Sequence, residues 1–143
     1  MPSAILVLDA NIIIRAVLGE RVKKFLINNI EAVDFFTPDT CIKEVEKYLP
    51  ILFEKRSLSS DLALDIFSKV KPLLQVVDKS IYYERAADAQ QRIKDRDFFD
   101  WPAVATALIF NCPIWTEDKD FFGVGIPTWT TDRVHVFFQS IKN

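Results

Sequence analysis

Residues Ile5–Ile14 read ILVLDANIII, an aliphatic run interrupted by one carboxylate, Asp9, and one carboxamide, Asn11. The first part, Ala4–Leu8, shows no alternation of apolar and polar residues. A strand with one wet face alternates; a strand without alternation is covered on both faces, as in a parallel sheet between layers of helix. This stretch therefore predicts a buried central strand with Asp9 at the point where the chain leaves the sheet. A strand-end carboxylate followed at once by further apolar residues has few structural uses, so Asp9 marks the first candidate for chemistry.

Working outward, Val22, Phe25, Leu26 and Asn29 follow a helical period, and Ala32–Phe36 reads as a second strand closed by Thr37-Pro38. Asp39 or Thr40 can cap a helix running to about Leu49, where Pro50 is expected to stop it. Ser57–Asp61 is a capping region for a helix bearing Leu62, Ile66, Phe67 and Val70, and Pro72 ends it before a strand at Leu73–Val77. Tyr82–Ile93 is predicted helical. Asp100-Trp101-Pro102 opens another helix to about Phe110, with Pro102 in the first turn, where a missing N–H matters little. Strands at Pro113–Thr116 and Thr128–Thr130 and a final helix over Asp132–Ile141 complete the pattern. Strands alternating with helices predict an α/β fold whose central, mainly parallel sheet has about five strands. Three glycines, no repeat and no linker-like segment predict one domain spanning residues 1–143.

The hydrophobic content of 50% supplies a core, and a net charge of -2 gives no global positive field to advertise nucleic acid. Cys41 and Cys112 read as reduced core or helix-face thiols. The opening residues carry a charge where a signal peptide needs an unbroken apolar segment, and no run reaches the length of a membrane span; the expectation is a cytoplasmic protein without a membrane partner. No glycine-rich phosphate loop is present, which argues against a nucleotide kinase or ATPase. His135, the single histidine, lies in the terminal amphipathic pattern and reads as structural or surface. Trp101, Trp115 and Trp129 read as core aromatics rather than stacking platforms.

In parallel α/β sheets ligands bind outside the carboxyl ends of the strands. Besides Asp9, that edge receives Thr116, Glu117, Asp118 and Asp120 from IWTEDKDFF, and Asp97 and Asp100 lie in RDFFDW at the start of the helix leading into the fourth strand. Glu44 stands with Cys41, Val45 and Tyr48 at helical spacing, a stripe expected to face the protein. Two carboxylates about 5 Å apart repel by roughly 3 kcal/mol at an effective dielectric near 20, a penalty that a divalent cation removes. All-oxygen ligation suits Mg²⁺ or Mn²⁺, whereas zinc calls for the His and Cys this chain barely has. Such an ion at the mouth of an α/β sheet serves phosphate-ester chemistry, lowering the pKa of bound water and neutralising charge on the scissile phosphate. Each acid also has a plain structural reading: Asp100 as an N-cap, Asp118 and Asp120 as loop acids, Glu44 as an ion-pair partner. Arg15, Lys94, Arg96 and Lys119 are candidates for phosphate contact, or simply solvated charges.

With Asp9 in VLDAN, Glu44 in IKEV, Asp100 in DFFDWPAVATA and Asp118 in IWTEDKDFF, the sequence resembles the PIN-domain ribonucleases over essentially its whole length, and is most similar to the small stand-alone prokaryotic members, many of them toxins of type II toxin–antitoxin pairs. The resemblance implies a three-layer α/β/α sandwich and a Mg²⁺- or Mn²⁺-dependent endoribonuclease, with an RNA substrate, an antitoxin partner and homodimerisation. It implies Asp9, Glu44, Asp100 and Asp118 as the catalytic, metal-binding acids, Asn11 as an accessory amide and Thr116 as the small hydroxyl residue ending the fourth strand. Asp97 and Asp120 occur in related motifs as accessory acids. Two features depart from the family: the chain is mildly acidic where some toxins are more basic, and two aromatics separate Asp97 from Asp100. Asp100 is favoured as the ligand, because it precedes Ala103, Val104 and Ala107 at helical spacing. Two alternatives stay open: a non-catalytic PIN-like scaffold binding RNA or protein, and a receiver-type Mg²⁺-binding regulatory domain, although the chain lacks the latter's acid pair after the first strand and its Lys ending the last.

Overall fold

The computed structural model describes residues 4–142. Five strands, β1 (Ala4–Leu8), β2 (Val33–Pro38), β3 (Gln75–Val77), β4 (Ile114–Trp115) and β5 (Thr128–Trp129), form one sheet in the order β3-β2-β1-β4-β5 with every pairing parallel. The chain winds outward from β1 through β2 to β3, then returns to the other side of β1 to lay down β4 and β5. The order therefore reverses between β1 and β4, and the carboxyl ends of these two strands bound the crevice where such sheets bind ligands.

Alternation along β1 sends Leu6 and Leu8 into one core and Val7 into the other, and all three are fully buried. The first core joins α1 (Ala10–Leu18), α2 (Arg21–Asn29), α3 (Asp39–Lys55), α4 (Ser60–Val70) and α8 (Val134–Lys142) to one face of the sheet through Ile12, Leu26, Val45, Phe67, Trp115 and Phe138. The second packs α5 (Lys79–Tyr82), α6 (Ala86–Ile93) and α7 (Trp101–Phe110) on the other face through Tyr82, Ile93, Val104, Ile114 and Phe121. The result is the expected three-layer α/β/α sandwich. Among the described residues no helix is long and apolar enough to cross a membrane.

Several element boundaries depart from the sequence reading. Pro50 does not end α3, which continues to Lys55. Proline inside a helix removes one hydrogen bond and costs about 3 kcal/mol. Here the turns on either side of it bury Leu49 and Phe53 in the core, a gain of roughly 1.5–3 kcal/mol for each side chain. Asp39 is the first residue of α3 rather than its cap; its carboxylate accepts from the Thr40 N–H at 2.8 Å, the Tyr82 hydroxyl at 2.7 Å and the Lys79 N–H at 3.2 Å, tying α3 to α5. The single helix expected over Tyr82–Ile93 is broken into α5, a 3-10 turn at Tyr83–Arg85 and α6. The strand expected from Leu73 begins at Gln75, because Lys71–Leu73 forms a 3-10 turn around Pro72. Ser59 does cap α4, accepting from the Asp61 N–H at 3.1 Å. Both cysteines are buried free thiols, and Trp115 is a core residue as read.

Candidate metal centre

Asp9 leaves the sheet at the carboxyl end of β1 and caps α1. It is only 5% exposed, and both of its carboxylate oxygens are engaged. Oδ1 accepts from the Ala10 N–H at 2.8 Å; Oδ2 accepts from the Asn11 amide at 2.8 Å and from the Thr116 hydroxyl at 2.8 Å. Asn11 also donates to Thr116 Oγ1 at 3.1 Å and accepts from the Glu117 N–H at 3.1 Å, while the Asp118 N–H donates to Thr116 Oγ1 at 2.9 Å. These bonds lace the ends of β1 and β4 together across the switch point and leave Asp9 one rotamer. Burial raises the Asp9 carboxyl above its ordinary range and the charge of Asp118 adds to this, with the Thr116, Ala10 and Asn11 bonds opposing.

The other acids converge on the same mouth. A narrow pocket of about 40 Å³ is lined by Asp9, Glu44, Asp100 and Phe99, with Thr40, Cys41, Pro102 and Ala103 as its wall. Asp97, Asp100 and Asp120 each place one carboxylate oxygen within 4.8 Å of the other two. Asp100 belongs to both groups. It stands at the N-cap position of α7 yet makes no capping hydrogen bond, and its Oδ2 is buried without a partner. Burial, then the charges of Asp9, Asp97, Asp118 and Glu44, push its carboxyl up to about 8. A buried carboxylate oxygen facing other carboxylates is unstable by itself, and a hard divalent cation with oxygen ligands is the partner that such a donor set fits.

Asp97 is exposed and caps the short turn Phe98–Asp100, accepting from the Phe99 N–H at 3.2 Å. Asp118 caps the turn Lys119–Phe121, accepting from the Asp120 N–H at 2.9 Å. The loop-acid reading of Asp118 is thus met by one of its oxygens only. Glu44 departs from the reading that put it on the buried stripe of α3. The buried stripe is Cys41, Ile42, Val45, Leu49 and Phe53, and Tyr48, one turn beyond Glu44, is 44% exposed. Glu44 instead borders the stripe, where it overhangs the pocket; burial raises its carboxyl, followed by the charges of Asp9, Asp97 and Asp118.

Of the four basic candidates, Arg96 does not lie free. Its guanidinium donates to the Asp120 carbonyl at 2.9 Å and to that of Phe122, pinning the acid-bearing loop. Arg92, in the last turn of α6, donates to the Val124 carbonyl at 2.9 Å and to Asp88 at 2.8 Å. Arg15 lines a separate groove of about 490 Å³ with Arg21 and Arg56. Lys94 and Lys119 are exposed. Sequence reasoning missed Cys41 and Phe99 as pocket walls, although each is signalled by its place: Cys41 one turn before Glu44, Phe99 bracketed by two acids. It also missed Glu117, whose carboxylate accepts from the Thr131 N–H at 2.6 Å and braces the loops after β4 and β5.

A family model described as PIN domain matches residues 7–139. No curated protein matches the chain by sequence. Among solved structures, PAE2754 from Pyrobaculum aerophilum is similar at 16% identity and TM-score 0.70, with 96% of each chain covered. VapBC2 from Rickettsia felis, bound to a DNA fragment from its promoter, aligns at 13% identity and TM-score 0.65, over 88% of this chain and 98% of that one. A toxin–antitoxin complex from Klebsiella pneumoniae aligns at 21% identity and TM-score 0.58, over 90% and 98%. At these identities the structural likeness speaks to the fold, and the family match carries the assignment: the chain belongs to the PIN domain family.

Proposed function

We propose that this protein is a Mg²⁺- or Mn²⁺-dependent endoribonuclease that hydrolyses RNA phosphodiester bonds, and that it is the toxin of a toxin–antitoxin pair. The observation that carries the chemistry is the buried, unpartnered Oδ2 of Asp100 amid the carboxylates of Asp9, Glu44, Asp97, Asp118 and Asp120. Asp9, Glu44, Asp100 and Asp118 would hold the ion, directly or through water, with Asp97 and Asp120 alongside. When bound, the ion lowers the pKa of bound water and neutralises charge on the scissile phosphate and leaving oxygen. Asn11 and Thr116 fix the Asp9 carboxylate, as outer hydrogen-bonding groups do for metal-binding side chains. Glu44, lining the pocket and engaging the ion through water rather than directly, would orient the attacking water and accept its proton. In-line attack leaves 5'-phosphate and 3'-hydroxyl ends.

The toxin assignment is supported by the toxin–antitoxin complexes among the structural relatives. Its test is the neighbouring reading frame: a small adjacent product should co-purify with the chain and suppress cleavage. For the chemistry, RNA oligonucleotides are incubated with the wild-type chain in Mn²⁺ or EDTA and with Asp9→Asn. Cleavage should require the ion and fall at least about 100-fold in the variant, whose fold should persist. A folded Asp9→Asn protein with undiminished Mn²⁺-dependent cleavage overturns the reading.

A further inference from the structure

We propose that Phe99 is the platform on which an unpaired base of the substrate stacks; the proposal rests on the nuclease reading above. Phe99 is 85% exposed, the largest value among the exposed large apolar side chains, and it lines the same pocket as Asp9, Glu44 and Asp100. A ring so exposed contributes little to the core. The backbone that carries it is nevertheless fixed. The Phe99 N–H is bonded to the Asp97 carboxylate at 3.2 Å, and the next N–H, that of Asp100, reaches the Asp97 carbonyl at 3.1 Å. Phe98 meets the Phe99 ring edge-on with centroids 6.0 Å apart, buttressing it from one side. The ring thus rises from a held turn at the wall of the pocket that Asp9, Glu44 and Asp100 line.

In the ion-free mouth the electrostatics favour an attraction that does not rest on charge, although Lys94 and Lys119 stay exposed. The mouth is ringed by acids that repel a phosphodiester, the chain is net negative, and the guanidinium of Arg96 is bonded to carbonyls of the acid-bearing loop. Base–aromatic stacking supplies affinity without charge, and it accepts any base because every base has a π-face. Within a duplex both faces of a base are already covered, so a stacking platform at the scissile position favours loops and single strands. The other aromatics nearby are committed elsewhere: Trp101 lies edge-on to Tyr82 and Tyr83 at 5.6 and 6.4 Å, and Trp115 is fully buried.

The test is steady-state cleavage in Mn²⁺ by wild type, Phe99→Ala and Phe99→Trp, on a single-stranded RNA oligonucleotide, on the same sequence held in a duplex, and on a series with one abasic site moved along the strand. Wild type should prefer the single strand. Phe99→Ala should raise KM about 5- to 150-fold, the range given by loss of one base–aromatic stack, with kcat nearly unchanged and the melting temperature intact. Phe99→Trp should restore KM. One abasic position should weaken wild type and have no further effect on Phe99→Ala, as expected of two halves of one contact. Unchanged KM in Phe99→Ala, failure of rescue by Trp, or additive effects at every abasic position each overturn the stacking assignment while leaving the nuclease reading standing. Absence of any cleavage by wild type overturns the nuclease reading, and the stacking assignment with it.

Discussion

Replacing Asp100 by Asn should make the cation-free protein more stable while removing its response to metal. Asp100 has an ordinary carboxyl value of 3.8 and is pushed up to about 8 in the fold, first by burial and then by Asp9, Asp97, Asp118 and Glu44. Between these values the native state keeps a proton that the unfolded state has released. Unfolding then releases protons, so native stability is full at low pH and declines as pH rises from about 4 to about 8. A shift of about 4 units corresponds to an upper bound of about 6 kcal/mol, and access of water to the pocket brings the expected effect to about 2–3 kcal/mol. For a chain of this size that is about 6–12 °C in melting temperature. Thermal melts in EDTA at pH 5, 7 and 9 should show wild type and Asp100→Asn close together at pH 5 and diverging to this extent at pH 9, with the variant higher. Adding Mn²⁺ at pH 9 should raise the wild-type melting temperature and leave the variant nearly unmoved. Parallel curves across the pH range, or a variant less stable at pH 9, would show that burial and the neighbouring acids do not disfavour the charged form of Asp100.

Two further outcomes follow from other parts of the site. Thr116→Val removes the hydroxyl that bonds Asp9 and receives the Asp118 N–H; since the Thr116 bond holds the Asp9 carboxyl down, the acidic limb of the cleavage pH profile should move to higher pH, with about 1–3 kcal/mol lost from stability. A profile identical to wild type would show that this bond does not tune Asp9. Gly125→Ala places a methyl group 2.5 Å from the Arg92 guanidinium at a residue with φ of +85°, so it should cost about 1–3 kcal/mol, read as a lowered denaturation midpoint; a neutral result would mean the loop adopts another path.

The unbroken aliphatic run of β1 made the parallel sheet legible, and the acids following strands made its mouth legible, because both are properties of residues close together in sequence. Period and proline rules failed where long-range packing outweighed them. Pro50 remains inside α3 because Leu49 and Phe53 are held in the core, and the break between α5 and α6 has no proline or glycine to announce it. Glu44 was misplaced for a related reason. Its stripe differs from the true one by a single position on the helix, and only the packing of Ile42 and Leu49 decides which side faces inward. Arg96 could be listed as a charge near the mouth, but its bonds to the Asp120 and Phe122 carbonyls span residues that only the folded chain brings together.

Arg92, in the last turn of α6, and Arg96, three residues past its end, act together as a ruler. The Arg96 N–H turns back onto the Ile93 carbonyl at 3.0 Å, and the two guanidiniums grip the acid-bearing loop at Val124 and at Asp120 and Phe122. Regular structure within that loop is confined to a single 3-10 turn, so its span is set by the separation of the two guanidinium contacts. A residue added or deleted between Asp120 and Val124 would slip the loop against its gauge and displace Asp118 and Asp120 together. Relatives of this chain should therefore keep the loop's length fixed wherever they keep both arginines, and vary it only where the pair is gone.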